Sequence, residues 1–208
     1  MPPIAPTKIV CIGRNYAAHA AELGNEVPTE PLIFLKPPSS LIAAGEAIVL
    51  PAGAGRVDFE GEIGVVIGKR ARHVSRETAW GHVGALVPVN DVTARELQKR
   101  DGQWTRAKGF DTFCPVGTPV PVASVDLKAL AVTTRVNGEV RQDAPATAMV
   151  FDIAFLVAHI SRIMTLEPGD LICTGTPDGI GELAAGDEVE VRVAGVGSLK
   201  NHVREEVL

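Results

Sequence analysis

Apolar residues recur in short runs along the chain, and the spacing within each run predicts the local structure. Residues 8–13, KIVCIG, are a compact apolar run typical of a short buried strand. In residues 188–193, EVEVRV, apolar and charged positions alternate, as expected of a strand with one face in solvent. Further strands are predicted within residues 27–40, 57–68, 81–90, 130–143, 166–177 and 183–203.

Helical spacing is rarer and predicts three helices. A short helix follows the first strand, with Asn15 able to cap its start and Gly24 able to close it in the left-handed conformation. A second helix is predicted to begin near Asp91. Residues 151–164 are amphipathic; the apolar positions on one face are Ile153, Leu156, Val157, Ile160 and Met164.

Turn residues make β-structure the dominant expectation. The chain has 21 Gly and 15 Pro, and Asn137-Gly138 is a strong signal for a β-hairpin. No segment has the composition of a linker, and 208 residues suit one domain. We predict an α+β fold that is mainly β, as a single domain over residues 1–208 in which residues 1–50 form a small N-terminal lobe or lid.

Charge and composition exclude several classes of function. The formal net charge is −5 and Lys and Arg form no cluster, which argues against nucleic-acid binding. No apolar run has the roughly 18 residues that a membrane helix needs, and no signal peptide is recognised, so a cytoplasmic protein is expected. Cys11, Cys114 and Cys173 have no CxxC spacing and are predicted to be buried reduced thiols.

Carboxylates concentrate at the start of one predicted strand. Alternate strand residues share a face, so Glu60 and Glu62 project side by side, about 7 Å apart, with Asp58 in line before them. Such neighbours repel unless a cation neutralises them, and Mg²⁺ or Mn²⁺ prefers carboxylate oxygens. Asp91, after the next apolar run, is a third candidate ligand. The alternatives are a solvated strand edge for the glutamates and a helix cap for Asp91.

Several further residues are candidates for substrate contact. Arg95 and Gln98 follow Asp91 at helical spacing, and Arg95 can bind a carboxylate through two hydrogen bonds. Lys108 lies beside a glycine and can stabilise the negative charge of an enolate. Thr174 and Thr176 lie in a tight turn that offers hydroxyls and a backbone N–H to an anion. Each is also compatible with an ordinary structural or surface residue.

A possible acid–base pair lies on the first helix. His19 and Glu22 are three residues apart, so their side chains meet on one face. A carboxylate orients an imidazole and raises its basicity, as a general base requires. The alternative is a surface ion pair.

Eight segments in order resemble the fumarylacetoacetate hydrolase superfamily, in its short acylpyruvase and oxaloacetate decarboxylase-like branch. They run from IGRNYAAHAAELG through DFEGEIGVVIGK, NDVTARELQ and LEPGDLICTGTPDGIG to GVGSLKNHV. The resemblance implies a rolled mixed β-sheet, a homodimer, and Mg²⁺ or Mn²⁺ held by Glu60, Glu62 and Asp91. It also implies that His19 and Glu22 lie on a lid, and it implies substrate contacts from Arg14, Lys36, Arg95, Gln98, Lys108, Thr174 and Thr176.

One segment departs from the family pattern. Many relatives carry a Gly-Asn-Thr type loop before the methionine at position 149, whereas residues 144–148 here are APATA. This difference is expected to change the rim of the site and therefore the choice of substrate, while the metal centre stays intact.

The leading hypothesis is hydrolysis of a carbon–carbon bond in a 2,4-dioxo acid such as an acylpyruvate or fumarylpyruvate. His19 would activate water, and Lys108 and the metal would stabilise a pyruvate enolate. The same groups suit an oxaloacetate decarboxylase or a 2-hydroxyhepta-2,4-diene-1,7-dioate isomerase or decarboxylase. A non-enzymatic alternative is an inactive protein that binds a metal and a keto acid.

Overall fold

The strands dominate the fold. The computed structural model describes residues 4–207, and within them it has sixteen strands and four α-helices. The strands are β1 (Ile9–Gly13), β2 (Leu32–Lys36), β3 (Leu41–Ala43), β4 (Ile48–Leu50), β5 (Val57–Phe59), β6 (Gly61–Ile67), β7 (Val83–Asn90), β8 (Thr93–Ala94), β9 (Cys114–Val116), β10 (Val120–Pro121), β11 (Ala131–Val136), β12 (Glu139–Pro145), β13 (Leu171–Cys173), β14 (Gly181–Glu182), β15 (Glu188–Val193) and β16 (Gly197–Glu205).

The helices are few and short. The α-helices are α1 (Ala17–Glu22), α2 (Arg95–Asp101), α3 (Thr105–Lys108) and α4 (Ile153–Ile163). Short 3₁₀ helices lie at Pro38–Ser40, Ala79–His82, Val122–Ser124, Leu127–Ala129 and Ala146–Ala148. In residues 4–207, no helix combines the length and the apolar character that crossing a membrane requires.

Three sheets make up the architecture. The largest has eight strands in the order β2-β1-β13-β6-β7-β9-β3, with β10 also paired to β7. It is mixed, because β1 pairs with β13 and β3 with β9 in parallel while the other pairs are antiparallel, and it curls into a half-barrel. The second sheet has the order β12-β11-β15-β16-β4, and the third is β14-β5-β8. The predicted mainly β, α+β fold with a rolled mixed sheet is confirmed.

The core lies on both faces of the large sheet. On one face Ile63, Val65 and Ile67 of β6 pack with α4 and with Val132 and Val191 of the second sheet. A separate apolar cluster, which includes both Cys11 and Cys173, fills the other face. Both faces of the sheet are covered, so polar side chains on β6 are removed from water. The acidic Glu62 is one of them.

Two predicted elements are confirmed by the structure. The amphipathic helix is α4, and Ile153, Leu156, Val157 and Ile160 of its predicted apolar face are buried. The hairpin turns at Asn137-Gly138, where both residues have the positive φ that a two-residue turn requires, 52° and 84°.

The predicted helix starts need correction. The first helix is preceded by Tyr16 and has no side-chain cap, because the amide of Asn15 bonds instead to the backbone of Phe151 and Thr174. Gly24 does follow the helix with φ of 67°, as predicted. The helix expected near Asp91 begins only at Arg95, since the intervening residues are extended and pair with β5. A helix-cap role for Asp91 is therefore excluded.

The strands up to residue 50 are divided between the two larger sheets: β4 belongs to the second sheet, and the other three belong to the large one. In the large sheet, β1 occupies a position between β2 and β13. Of this segment, residues 12–14, α1 with the loop after it, and Phe34 line a cavity of the molecule. The three cysteines are free and buried, in agreement with their prediction as packed thiols.

Asp170 joins the beginnings of the paired strands β1 and β13. Its buried carboxylate accepts hydrogen bonds from the backbone N–H groups of Thr7 (3.0 Å), Lys8 (3.2 Å) and Glu167 (2.8 Å). The Thr7 hydroxyl also donates to it at 2.7 Å, and the Lys8 ammonium forms an ion pair with it. Burial alone would raise the pKa of Asp170, but the bonds from Lys8 and Thr7 outweigh it and lower the pKa.

Asp170→Asn is expected to lower the free energy of unfolding by about 2 kcal/mol, because charged acceptors make the stronger hydrogen bonds. That loss corresponds to a fall in Tm of roughly 4–8 °C for a chain of this size. Asp143→Asn, at an exposed carboxylate bonded to Thr133, is the control and should change Tm little.

The Tm difference between the wild type and Asp170→Asn is expected to depend on pH. Because the pKa of Asp170 is lowered in the folded state, its stabilisation is present above the unfolded value of about 4 and is lost as pH falls below it. The Tm gap between the wild type and Asp170→Asn should therefore narrow on acidification. A gap of constant size from pH 7 to pH 3 would contradict this account.

Candidate active site

The predicted acidic residues converge at the junction of β5, β6 and β7. Glu60 lies between β5 and β6, Glu62 is the second residue of β6, and Asp91 directly follows β7. Gly61 pairs with Asn90, and the N–H of Asp91 donates to the carbonyl of Glu60 at 2.8 Å. This register brings one carboxylate oxygen of each residue within 4.8 Å of the others, and all three residues are buried. The alternative of a solvated strand edge is excluded.

Buried cations already compensate two of the three acids. Lys108 Nζ donates to Glu60 Oε2 (2.8 Å) and to Asp91 Oδ2 (2.6 Å). Lys36 Nζ bonds the other oxygen of Asp91 at 2.6 Å, and Arg95 Nη2 bonds Glu60 Oε1 at 2.6 Å. The sequence predicted these cations as substrate contacts but did not predict their pairing with the acids. Glu60 and Asp91 are thus stabilised by ion pairs within the protein.

Glu62 differs from its two neighbours. Within residues 4–207 no cationic side chain pairs with it, and its Oε2 accepts one hydrogen bond, from the backbone N–H of Gly175 at 2.8 Å. Burial, together with the negative charges of Asp91 and Glu60, raises the pKa of Glu62 well above its usual range. A positive charge placed among the three carboxylates would therefore be most favourable for Glu62.

Glu60 is paired with cationic side chains, and these keep it ionised. Burial would raise the pKa of Glu60, but the charges of Lys108 and Arg95 outweigh it and hold the pKa well below its usual range. Burial would likewise lower the pKa of Lys108, but the charges of Asp91 and Glu60 raise it. Glu60 is therefore ionised and Lys108 protonated at neutral pH, and Lys108 is available as a hydrogen-bond donor and a positive charge.

The donor set fits a hard divalent cation. Three carboxylates with oxygens within 4.8 Å of one another, one of them without a cationic partner, are the ligands that Mg²⁺ or Mn²⁺ prefers. The triad supplies three positions of an octahedral shell, which leaves positions for water or for oxygens of a substrate.

Arg95 connects this cluster to a second acid. Its Nε donates to Asp58 Oδ2 at 3.0 Å, and its Nη1 donates to Gln98 Oε1 at 2.7 Å. Asp58 is fully buried and is bonded on its other side by Arg56 Nε at 2.6 Å. The guanidinium is therefore held rigidly between Asp58 and Glu60, and with it the amide of Gln98.

The predicted His–Glu pair is present on α1. His19 Nδ1 lies 3.2 Å from Glu22 Oε2, and His19 is 5% exposed. The other oxygen of Glu22 accepts a hydrogen bond from the N–H of Gly179 at 3.0 Å. Glu22 thus orients the imidazole and also ties α1 to the loop after β13. With Nδ1 facing the carboxylate, Nε2 is the ring nitrogen left to exchange a proton.

The two threonines of the turn after β13 use their hydroxyls inside the protein. Thr174 Oγ1 donates to the carbonyl of Ile63 at 2.8 Å, and Thr176 Oγ1 donates to the carbonyl of Gly61 at 2.9 Å. The backbone N–H of Thr176 has no hydrogen-bond partner in the described part of the chain. Because Thr176 lines the cavity, its N–H is the better candidate for contact with an anion.

These residues surround one cavity of about 550 Å³. His19, Glu22, Glu60, Asp91 and Lys108 line it, together with Arg14, Arg95, Gln98, Lys99 and Thr176. Two predicted contact residues lie outside the lining: Lys36 is behind Asp91, and Thr174 is in the strand-end turn behind Thr176. Residues 144–148 do not line the cavity either; Ala146 and Thr147 border a separate surface depression.

An aromatic wall of the cavity could not be recognised from the sequence. Phe34 and Trp104 both line it and meet edge to face, with ring centroids 5.2 Å apart. Lys108 Nζ lies 5.0 Å from the centroid of Phe34. The two rings lie far apart in sequence, on β2 and just before α3, and no local pattern marked them.

Two cations that line the cavity lack an acidic partner. Among residues 4–207, Arg14 and Lys99 form no ion pair, whereas Arg95 and Lys108 are paired with acids. Arg14 has φ of 57°, a conformation that is uncommon for a residue other than glycine. Strained backbone of this kind is found where the surrounding structure enforces it, commonly at binding sites.

Comparison with known proteins identifies the family of the chain. Residues 8–204 match the family model described as fumarylacetoacetate (FAA) hydrolase C-terminal. The chain is 44% identical to a protein of Arabidopsis thaliana named oxaloacetate tautomerase FAHD1, mitochondrial, over 97% of this chain and 92% of the relative.

Solved structures share both fold and sequence with the chain. A 2-hydroxyhepta-2,4-diene-1,7-dioate isomerase from Mycobacterium marinum is 44% identical with a TM-score of 0.91, over 100% of this chain and 78% of that one. A fumarylpyruvate hydrolase from Pseudomonas aeruginosa, solved with Mn²⁺ and pyruvate, is 33% identical with a TM-score of 0.92, over 98% and 91%. The chain belongs to the fumarylacetoacetate hydrolase family.

Proposed function

We propose that the protein is a Mg²⁺- or Mn²⁺-dependent enzyme that catalyses proton transfer to and from a carbon atom of short 2-oxo dicarboxylic acids. The specific reaction is the keto–enol tautomerisation of oxaloacetate. The observation that carries the proposal is a cavity lined by Glu60, Asp91, Lys108 and the His19–Glu22 pair, with a carboxylate oxygen of the buried Glu62 within 4.8 Å of those of Glu60 and Asp91. Relatives at 44% and 42% identity are named oxaloacetate tautomerases.

The unpaired cations of the cavity favour a substrate with two carboxylates. One carboxylate and the 2-oxo oxygen would lie near the metal ligands, within reach of the Thr176 N–H. Arg14 and Lys99 would then bind the second carboxylate, since neither is paired with an acid in residues 4–207. Arginine and lysine placed in this way discriminate against a substrate with an uncharged end.

The residues of the chain suggest how the proton moves. His19 Nε2, with Nδ1 oriented by Glu22, removes a proton from C3 of the keto form. The electron pair shifts to the C2 oxygen, where the protonated Lys108 stabilises the negative charge and donates a hydrogen bond. The proton that His19 removed from C3 then passes to that oxygen, which completes the enol and returns the imidazole to its neutral form. Glu60, Glu62 and Asp91 would hold the ion, which supplies Lewis acidity at the 2-oxo group.

Acylpyruvate hydrolysis, the hypothesis drawn from the sequence, remains the second candidate. Its support is the same His19–Glu22 pair, which is equally suited to deprotonating water, and the similarity to a fumarylpyruvate hydrolase. Oxaloacetate decarboxylation and isomerisation of a hydroxymuconate-type diacid would use the same groups. Cytoplasmic location and homodimeric assembly also remain proposals; the Arabidopsis thaliana relative is named as mitochondrial.

A substrate panel decides between these reactions. With Mg²⁺ present, the enzyme should accelerate exchange of the C3 hydrogens of oxaloacetate with deuterium from D₂O, followed by NMR, above the rate with Mg²⁺ alone. Release of pyruvate from an acylpyruvate and from oxaloacetate reports hydrolysis and decarboxylation. Faster turnover of the acylpyruvate, with no acceleration of exchange, would replace tautomerisation by hydrolysis. No turnover of any substrate would favour the inactive binding protein.

His19→Asn is expected to lower kcat about 100-fold, because a positioned general base contributes at least this much. Its affinity for Mn²⁺ should stay within twofold of the wild type, since His19 is not among the three carboxylate ligands. His159→Asn is the control, because His159 stacks on Phe155 at the surface of α4. Wild-type exchange kinetics in His19→Asn would remove His19 from the mechanism.

A further inference from the structure

Gln142, on the second sheet, contacts the peptide that joins the two glutamate ligands. Its Oε1 accepts a hydrogen bond from the N–H of Gly61 at 3.0 Å. Its Nε2 donates to Thr176 Oγ1 and to the carbonyl of Pro177, both at 2.8 Å. Gln142 is 1% exposed, so these bonds form out of water.

The hydrogen bonds close into a ring. The Thr176 hydroxyl accepts from Gln142 and donates to the carbonyl of Gly61, whose own N–H returns to Gln142. The peptide groups on both sides of the Gly61 Cα are therefore fixed, and Gly61 is the residue between Glu60 and Glu62. The same ring fixes the Thr176 turn, whose N–H lines the cavity.

Only an amide side chain satisfies this ring. It must accept one hydrogen bond and donate two, which a carboxylate, a hydroxyl or an apolar group cannot do. Gly61 must lack a side chain because the second sheet approaches its Cα closely. A Cβ there would collide with Thr134 Oγ1 and lie 3.2 Å from Gln142 Oε1. The first residues of β6 thus pack directly on the β11–β12 hairpin.

We propose that Gln142 is a positioning residue, which holds the Glu60–Gly61–Glu62 peptide and the Thr176 turn in one arrangement and thereby sets affinity for both the metal and the substrate. The inference depends on the proposed metal site. Groups that orient metal ligands from behind typically change metal affinity 10–100-fold when they are removed.

Mn²⁺ titration by calorimetry without substrate is the first test. Gln142→Met preserves the length and bulk of the side chain but forms none of the three hydrogen bonds, and it should weaken Mn²⁺ binding 10–100-fold. The matched control is Asn201→Leu. Asn201 is also a buried amide on the second sheet, and its Nδ2 donates to the carbonyls of Ala43 and Glu46, both at 2.8 Å and neither at the cavity. Asn201→Leu should bind Mn²⁺ within twofold of the wild type.

A double-mutant cycle separates positioning from general destabilisation. Thr176→Val removes the hydroxyl from the ring while keeping its backbone N–H, and should also weaken Mn²⁺ binding; Thr176→Ser should restore it. Because both residues act through one ring, the Gln142→Met/Thr176→Val double variant should lose little more affinity than the weaker-binding single variant. If Gln142→Met does not fold, Thr176→Val and Thr176→Ser decide the question alone.

The outcomes are distinct. Mn²⁺ affinity within twofold of the wild type in Gln142→Met, or an equal loss in Asn201→Leu, would overturn the positioning role. The role would also be overturned if the fold-losses of Mn²⁺ affinity in Gln142→Met and Thr176→Val multiplied in the double variant. Absence of Mn²⁺ and Mg²⁺ binding in the wild type would instead refute the proposed metal site, and with it the function proposed above.

Discussion

Glu62→Gln is expected to stabilise the metal-free protein while it abolishes tight binding of Mn²⁺, whereas Glu60→Gln is expected to lower both stability and metal binding. The two glutamates are two residues apart and both buried, but their partners differ. Glu60 pairs with Arg95 and Lys108, while Glu62 accepts a single hydrogen bond from the Gly175 N–H. The opposite signs follow from that difference.

The stabilising effect comes from removing an uncompensated acid. A glutamine at position 62 keeps an oxygen for the Gly175 N–H and carries no charge, so the desolvation of a carboxylate is avoided. We expect a gain of about 1 kcal/mol and a rise in Tm of roughly 2–4 °C. Because the pKa of Glu62 is raised in the folded state, the wild type loses stability as pH rises towards and through that pKa. The stability gained by Glu62→Gln relative to the wild type should therefore grow with pH.

Glu60→Gln has the reverse effect because it breaks buried ion pairs. Arg95 and Lys108 each lose one partner, and removal of one member of such a pair costs about 3 kcal/mol, the lower end of the usual range. Tm of the metal-free protein should fall by roughly 6–12 °C. Mn²⁺ binding in both variants should weaken by more than the roughly 100-fold limit that loss of an outer group produces.

Thermal unfolding in EDTA and calorimetric titration with Mn²⁺ measure the two effects separately. Each variant is the control for the other, since both replace a buried glutamate by glutamine and the two positions are two residues apart in the chain. Equal destabilisation by the two substitutions would contradict the difference in their partners. Undiminished Mn²⁺ affinity in Glu62→Gln would exclude Glu62 as a ligand.

The convergence of the acids could be predicted because it follows from local periodicity and from chain order. Alternation places Glu60 and Glu62 on one face, and Asp91 directly follows β7, which pairs with β6. The pairing of Lys36 and Lys108 with these acids could not be predicted in this way. It depends on β2 and α3, which come from distant parts of the sequence; β2 is an edge strand of the large sheet, and α3 packs against β2 and β8.

Two polar residues show where sequence reasoning reaches its limit. Asn15 precedes a helix, and so a capping role was predicted, but its amide bonds to Phe151 and Thr174, more than 100 residues away. Gln142 lies in a hairpin whose turn is easy to recognise, yet nothing in that pattern indicates a contact with Gly61. Local patterns predict elements, while the partners of buried polar groups are set by how the sheets pack.

Lys108→Met is expected to reduce kcat for oxaloacetate tautomerisation by 10²–10³-fold without weakening Mn²⁺ binding. Lys108 is a buried, protonated amine that lines the cavity, and removal of one donor that stabilises a developing oxyanion typically has this effect. Its positive charge also lies against Glu60 and Asp91, so its loss leaves these carboxylates more attractive to a divalent cation.

Lys36→Met is the matched comparison, because Lys36 is equally buried and bonds the same carboxylate from the other side. Its Nζ contacts Asp91 Oδ1 at 2.6 Å and the carbonyl of Val92 at 3.2 Å, and it does not line the cavity. We expect Lys36→Met to lower the free energy of unfolding by about 3 kcal/mol, with kcat within tenfold of the wild type once Mn²⁺ is saturating.

Steady-state kinetics at saturating Mn²⁺, together with Tm in EDTA, separate the two lysines. If Lys36→Met reduces kcat as much as Lys108→Met does, a position in the cavity is not what distinguishes them, and the assignment of enolate stabilisation to Lys108 fails. A large rise in KM with unchanged kcat in Lys36→Met would instead support the substrate contact that the family resemblance implied for this residue, because loss of uniform binding changes KM alone.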